Sequence, residues 1–193
     1  MKKGFIITSL IMAFLLILSA CNSSKVEKPL NLTDGISYGN ISSSLQIVVY
    51  SSFQCPDCKT LHENLNKVIE KYVDEQDLYY IFKPVDIKSF PYDQMIYSKL
   101  SEEEENLETV NRIFEKQEEW SKAKSESEVK QILNLSDIDE NLTKEREQSM
   151  ENIMEDLEDR GISQVPTFFI NGKKFVGLYS EEELRGILEK EDE

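Results

Sequence analysis

The sequence is short of several things, and each shortage excludes something. Its 193 residues hold three cysteines, at 21, 55 and 58, too few for a disulfide-stapled scaffold. Positive charge is also scarce: 22 Lys and Arg face 37 Asp and Glu, for a net charge of −15. A chain so acidic repels phosphates and anionic headgroups, which argues against nucleic acid as a partner and leaves solubility as the main consequence of the charge. The apolar run Phe5 to Leu18 falls short of the roughly 20 residues that cross a bilayer comfortably. No internal repeat is present, and no exposed heptad pattern points to a coiled-coil dimer, so a monomer is expected. Residues 22 to 193 suffice for one domain with a sizeable core.

What is present begins with a leader. Lys2 and Lys3, the apolar run and Leu18-Ser19-Ala20-Cys21 have the layout of a secretory signal cleaved before Cys21, with an uncleaved anchor as the second reading. The last four residues resemble the bacterial lipobox. That resemblance implies that Cys21 becomes the acylated first residue of the mature protein; the plain alternative is an ordinary signal with a chance cysteine. Lipid chains contribute roughly 0.8 kcal/mol per buried methylene, so several on one residue would hold the protein without a spanning helix. The expected location is the extracytoplasmic face of a bacterial cell membrane. Losing residues 1–21 removes two lysines and no acids, taking the net charge from −15 to −17. Residues 22–34, polar and without apolar periodicity, read as a flexible tether.

The domain is expected over residues 35–193. Asp34 to Asn40 reads as a short edge strand with a turn, and Leu45 to Ser51, apolar on both faces, as a buried central strand. Pro56 suits a first helical turn, and Leu61, Leu65, Val68, Ile69 and Tyr72 follow at helical spacing. Gln76 to Pro84 is a further strand, so residues 45–84 form a β-α-β unit of a size that favours parallel pairing. Residues 89–160 read as helical throughout, with a short helix over Ser125 to Leu135 and a longer one over Asp137 to Arg160. Ser101 and Glu104 form a capping-box pattern ahead of a stripe of Leu107, Val110, Phe114 and Trp120, and Gly161 closes the last helix. Pro166 to Ile170, the turn Asn171-Gly172 and Lys174 to Gly177 make a hairpin, and Ser180 caps a final helix. The fold class is α/β: β-α-β, a helical block, then β-β-α.

Cys55-Pro56-Asp57-Cys58 carries the chemistry. If Cys21 is acylated, Cys55 and Cys58 are the only thiols left in an exported chain and can pair only with each other. A bridge across two residues stabilises little, but at a helix start it is readily reduced. Unpaired N–H groups and the positive end of the helix dipole should favour a Cys55 thiolate, with Cys58 one turn further in and more buried. A metal site is the rival. Cys-x-x-Cys with His62 four residues on supplies three donors where a structural zinc usually wants four, and soft thiolates would suit Cu(I). His62 is otherwise expected to be a partly exposed helix histidine, and neither metal nor other cofactor is assigned.

Gly39-Asn40, Ile47-Val48-Val49-Tyr50-Ser51-Ser52-Phe53-Gln54-Cys55-Pro56-Asp57-Cys58 and Gly161-Ile162-Ser163-Gln164-Val165-Pro166-Thr167-Phe168-Phe169-Ile170-Asn171-Gly172 together resemble the thioredoxin fold. The helical block at about 89–160 resembles that of the DsbA-like thiol-disulfide oxidoreductases. This resemblance, over about residues 35 to 190, implies Cys55 as nucleophile and Cys58 as resolving thiol, Pro56 and Asp57 as redox-tuning residues, and Pro166 as a cis-proline beside the site. It further implies that Val165 pairs with an extended substrate. Phe53, with Trp120, is a candidate for the rim of a substrate groove, although such aromatics are more often core. The implied function is oxidation of exported protein thiols to disulfides, with a quinone-linked membrane oxidase as a resetting partner. A reductase or isomerase using the same dithiol is the alternative, and a Cu- or Zn-binding lipoprotein a third.

Two positions depart from the family pattern. Val49 stands where a buried acid commonly moves protons for the inner thiol; Gln46, Lys59 or a water could substitute. Asp57 stands where strong oxidants often have histidine. Its charge should raise the Cys55 pKa and weaken the disulfide as an oxidant, unless Asp57 serves only the first helical turn.

Overall fold

A computed structural model describes residues 29–191. The expected signal peptide, Cys21 and the expected tether up to residue 28 lie outside the described residues. Among the described residues, no helix is long and apolar enough to cross a membrane.

A five-stranded sheet organises the domain in the order β1-β3-β2-β4-β5. The middle strand β2 (Leu45–Ser51) and its neighbour β3 (Leu78–Pro84) are parallel, and α1 (Pro56–Asp74) crosses between them. Both strands are covered on two faces, which is why they read as near-continuous apolar runs. Strand β1 (Ile36–Gly39) adds antiparallel to β3 at one edge. The hairpin β4 (Thr167–Ile170) and β5 (Lys173–Val176) adds antiparallel to β2 on the other side. Its turn residues Asn171 and Gly172 have φ of 47° and 82°, the pair of positive values that a two-residue hairpin turn demands.

One face of the sheet presents Ile47, Val49, Tyr80, Phe82 and Phe168 to α1, to the final helix α7 (Glu181–Glu191) and to part of the helical block. The other presents Val48, Tyr50, Ile81 and Phe169 to Ile153 of the long helix α6 (Glu140–Asp159) and to Ile162. Each fully buried aliphatic or aromatic side chain contributes about 1.5–3 kcal/mol, so these two layers supply most of the driving force for closing the sheet between helices.

The helical block is more broken than the sequence suggests. It comprises α2 (Asp93–Ser98), a 3-10 turn at Glu102–Glu104, α3 (Leu107–Glu115), α4 (Gln117–Trp120), α5 (Glu126–Leu133) and α6. The Ser101–Glu104 capping box exists, but it caps the 3-10 turn; α3 is capped by Asn106, whose side chain accepts the Thr109 N–H at 2.9 Å. The apolar stripe from Leu107 to Trp120 is divided at Lys116, where one helix ends and the next begins. Periodicity alone does not register such a break, because both pieces bury residues toward the same core.

Residues 29–34, assigned to the tether from sequence, are tied to the domain. The Arg160 guanidinium donates to the Pro29 carbonyl at 2.5 Å, the Tyr79 hydroxyl to Leu32 at 2.5 Å, and the Lys83 ammonium to Asp34 at 2.7 Å. Lys83 is fully buried, and that burial lowers its pKa to about 8. Asp156 bonds the Tyr50 hydroxyl and pairs with Arg160 at 3.0 Å. A polar cluster at the base of α6 thereby holds the incoming chain, which polarity in the sequence did not reveal.

Candidate active site

β2 ends at Ser51, and a four-residue loop, Ser52 to Cys55, carries the chain to the head of α1. Cys55 is the N-cap residue, with extended backbone (φ −79°, ψ 123°), and Pro56 follows in the first turn. Proline fits there because that N–H has no helical partner and its fixed φ is helical. The two thiols consequently meet different surroundings. Cys55 is 9% exposed and Cys58 1%. A hydrogen bond from Cys58 is the largest influence on Cys55, and the Cys58 and Asp57 N–H groups add to it; they lower its pKa from 9.0 to about 6 against the opposing effects of burial and the Asp57 charge. Cys58 moves the other way. Burial, then the neighbouring Cys55, push its pKa well up, while the Ser51 hydroxyl and the Ser52 backbone pull against them. One thiol is a thiolate at neutral pH and the other holds its proton.

The loop is gripped from the helical block. Asp93, at the start of α2, accepts from the Ser52 hydroxyl at 2.7 Å and from the Phe53 N–H at 2.5 Å. Gln117 in α4 donates its amide to the carbonyls of Phe53 at 2.6 Å and Cys55 at 3.1 Å. The Gln54 side chain accepts the Tyr92 N–H at 2.8 Å. The inserted helices thus supply hydrogen-bond partners that a strand-to-helix loop would otherwise lack inside the protein.

Across the sheet, Thr167 pairs with Tyr50, which sets Pro166 opposite Ser51 at the approach to Cys55. The Val165–Pro166 peptide bond is cis. Pro166 is buried and its carbonyl accepts the Gly177 N–H at 2.8 Å, while Val165 is half-buried. Pro56 and Asp57 are exposed.

Several sequence assignments are revised. Phe53 is fully buried, its ring 4.7 Å from Phe82 in a stack and 5.9 Å from Phe114. It is core and lines no groove, because β2 ends by turning that side chain inward. Trp120 is likewise fully buried, with its indole N–H on the Ile113 carbonyl at 2.8 Å. His62 is not a partly exposed helix residue. It is 4% exposed, its Nε2 2.6 Å from the Asn111 side-chain oxygen and its ring centroid 4.8 Å from that of Phe114, and burial lowers its pKa to about 4. Gln46 lies at the far end of β2 and donates to the Ile41 carbonyl at 2.9 Å, so it serves no proton transfer at Cys58. Lys59 pairs with Glu63 at 3.9 Å. Among the described residues, no group of three His, Cys, Asp or Glu is arranged to hold a metal ion. Asp93, Gln117 and Ser51 are the site residues that sequence reasoning missed. Asp93 lies 38 positions after Cys55, and no local pattern in the sequence marks it.

Residues 31–190 match the sequence profile of a family described as Thioredoxin. The chain belongs to that thioredoxin family. No curated protein matches it. Among solved structures, a conserved protein of unknown function from Enterococcus faecalis V583 is 21% identical with a TM-score of 0.69, covering 83% of this chain and 92% of that one. Wolbachia pipientis α-DsbA1 is 21% identical with a TM-score of 0.62, covering 83% and 92%. The catalytic domain of Proteus mirabilis ScsC is also 21% identical with a TM-score of 0.65, covering 83% and 90%. This thioredoxin-family chain has a DsbA-like fold with its dithiol at the head of α1, and is in general terms a thiol-disulfide oxidoreductase.

Proposed function

We propose that this protein oxidises the thiols of exported proteins to disulfides at the outer face of a bacterial membrane, held there by lipid on Cys21. The observation that carries the reading is the asymmetry of the two thiols: Cys55 near 6, Cys58 raised and buried. In the disulfide form a substrate thiolate attacks Cys55, and the Cys55–Cys58 bond breaks with its electron pair going to Cys58, which takes a proton. A second substrate thiolate then attacks the substrate sulfur of the mixed disulfide. Cys55 leaves as a thiolate, and a leaving group of low pKa leaves fast. The substrate departs with a disulfide and the protein with a dithiol. A quinone-linked membrane oxidase is the proposed resetting partner. An exported setting is supported by a solved likeness described as a periplasmic thioredoxin-like protein from Salmonella enterica, 16% identical with a TM-score of 0.66, and by the leader of this chain.

Val165 and Pro166 are proposed to meet the substrate backbone, since they lie level with the loop before Cys55. The Asp57 charge favours a second reading, as a reductase or isomerase, because it opposes the Cys55 thiolate and so favours the disulfide form. Equilibration with glutathione separates the two. An oxidising potential together with catalysed oxidation of a reduced test protein supports the oxidase; a strongly reducing, thioredoxin-like potential defeats it. Loss of membrane retention in Cys21→Ala tests the anchor.

A further inference from the structure

Val49 occupies the position where a buried acid would serve the inner thiol, and it is closed in by Phe82 and Phe168 on the strands to either side. That position offers no proton. A buried carboxyl nevertheless reaches the active-site loop from another direction. Asp93 is 0% exposed, and both its oxygens are used on the loop itself: Oδ2 accepts from the Ser52 hydroxyl at 2.7 Å and Oδ1 from the Phe53 N–H at 2.5 Å. The Ser52 carbonyl in turn accepts the Cys55 N–H at 3.3 Å. The charges that act on Asp93 are those of Asp86, beyond β3, and of Cys55 at the head of α1, both of its own sign, while Gln117 on α4 brings only a neutral amide to the loop. Cys55 also faces Cys58 and Asp57 on its own helix. Burial first, then these like charges, raise the Asp93 pKa to about 7 although its two hydrogen bonds oppose the rise.

We propose that Asp93 is a positioning residue that also stores the proton linked to reduction of the dithiol, ionised beside the Cys55–Cys58 disulfide and protonated beside the Cys55 thiolate. Reduction by a substrate dithiol breaks the Cys55–Cys58 bond, whose two sulfurs take up two electrons, and forms a disulfide bond in the substrate. Of the two protons that the substrate gives up, one goes to Cys58 and the other to Asp93, while Cys55 takes over the negative charge that Asp93 relinquishes. The net charge of the buried site is the same before and after. Below about pH 7 two like charges at the buried site, each raising the cost of the other, are thereby avoided. Re-oxidation returns both protons. The inserted helical block thereby contributes an acid that the sheet does not.

This proposal rests on Cys55 and Cys58 cycling between dithiol and disulfide. Its test is redox-difference infrared spectroscopy of the full chain in detergent, carrying 13C-labelled aspartate and poised with glutathione. Reduction at pH 7 should raise a protonated aspartate carboxyl band that Asp93→Asn abolishes. In that variant the amide can still accept from Phe53 and bond Ser52, so the loop keeps its partners while the acid is lost. If Asp93→Asn fails to fold, Asp93→Glu retains the acid but removes it from the aspartate label, so the labelled band should vanish there. A disulfide that forms and breaks with no change in any aspartate carboxyl band overturns the proposal and leaves the oxidoreductase reading intact. A band that survives both substitutions also overturns it. If no Cys55–Cys58 disulfide forms, both readings fail together.

Discussion

Acidification should act on the reduced protein through His62, and replacing that residue with glutamine measures the effect. The imidazole is buried one helical turn beyond Cys58, Nε2 against Asn111 at 2.6 Å and Nδ1 3.4 Å from the Tyr80 hydroxyl. With Nε2 donating to the Asn111 oxygen, Nδ1 is the acceptor for Tyr80, and the ring is neutral. Burial lowers its pKa from 6.5 to about 4 in the folded state. The folded protein resists a proton that the unfolded chain takes readily, so this contribution to stability is present above pH 6.5 and is lost as pH falls toward 4. The full difference is about 3 kcal/mol, and about 2.5 kcal/mol of it is lost between pH 7.5 and 4.5. Asp93 runs the other way. Its folded pKa of about 7 lies above 3.8, so its contribution is complete at low pH and is lost as pH rises through 7. Over the same interval acidification gains roughly 3 kcal/mol from Asp93, nearly cancelling His62 in the wild-type curve. The comparison must therefore be between proteins. Urea unfolding of reduced wild type and His62→Gln at pH 7.5 and 4.5 should show the variant gaining about 2.5 kcal/mol relative to wild type on acidification. Parallel pH dependences, within about 0.5 kcal/mol, would refute a buried neutral His62.

Alkylation of the reduced protein should report a Cys55 midpoint near pH 6, with the thiol about nine-tenths ionised at pH 7; Asp57→His should lower that midpoint and make the protein more oxidising, and a less oxidising variant would count against the role given to Asp57. Gln117→Ala leaves the buried Phe53 and Cys55 carbonyls without the amide that serves both, at an expected cost of about 2–4 kcal/mol and a Tm lower by about 5–15 °C in a melting curve. Gly39→Ala should cost about 3 kcal/mol or more by denaturant unfolding, because φ is +87° and a Cβ would run into the Leu78 backbone carbonyl across the β1–β3 pair.

Much of the fold was legible because its signals are local. Apolar residues on both faces of Leu45–Ser51 mark a covered strand, Pro56 marks a helix start, and Asn171-Gly172 marks a two-residue turn; each depends on backbone conformation within a few residues. The pair Cys55 and Cys58 was legible for the same reason. The breaks at Lys116 and around Ser101 were less so, since a helix can stop and restart without disturbing the apolar period that both halves share.

What the sequence determined by itself was the order of elements and the placing of a dithiol at a helix start, from which an ionised outer thiol follows by the unpaired N–H groups there. Tertiary structure alone decided what surrounds that dithiol. Whether Phe53 lines a groove or fills the core depends on Phe82 and Phe114, 29 and 61 positions away, and whether His62 is wet or dry depends on Asn111 and Phe114. The acid absent at Val49 has a counterpart in Asp93 only because the inserted helices fold back over the loop. Burial and Coulomb interaction act through space, so the groups that set the properties of this site share no pattern along the chain.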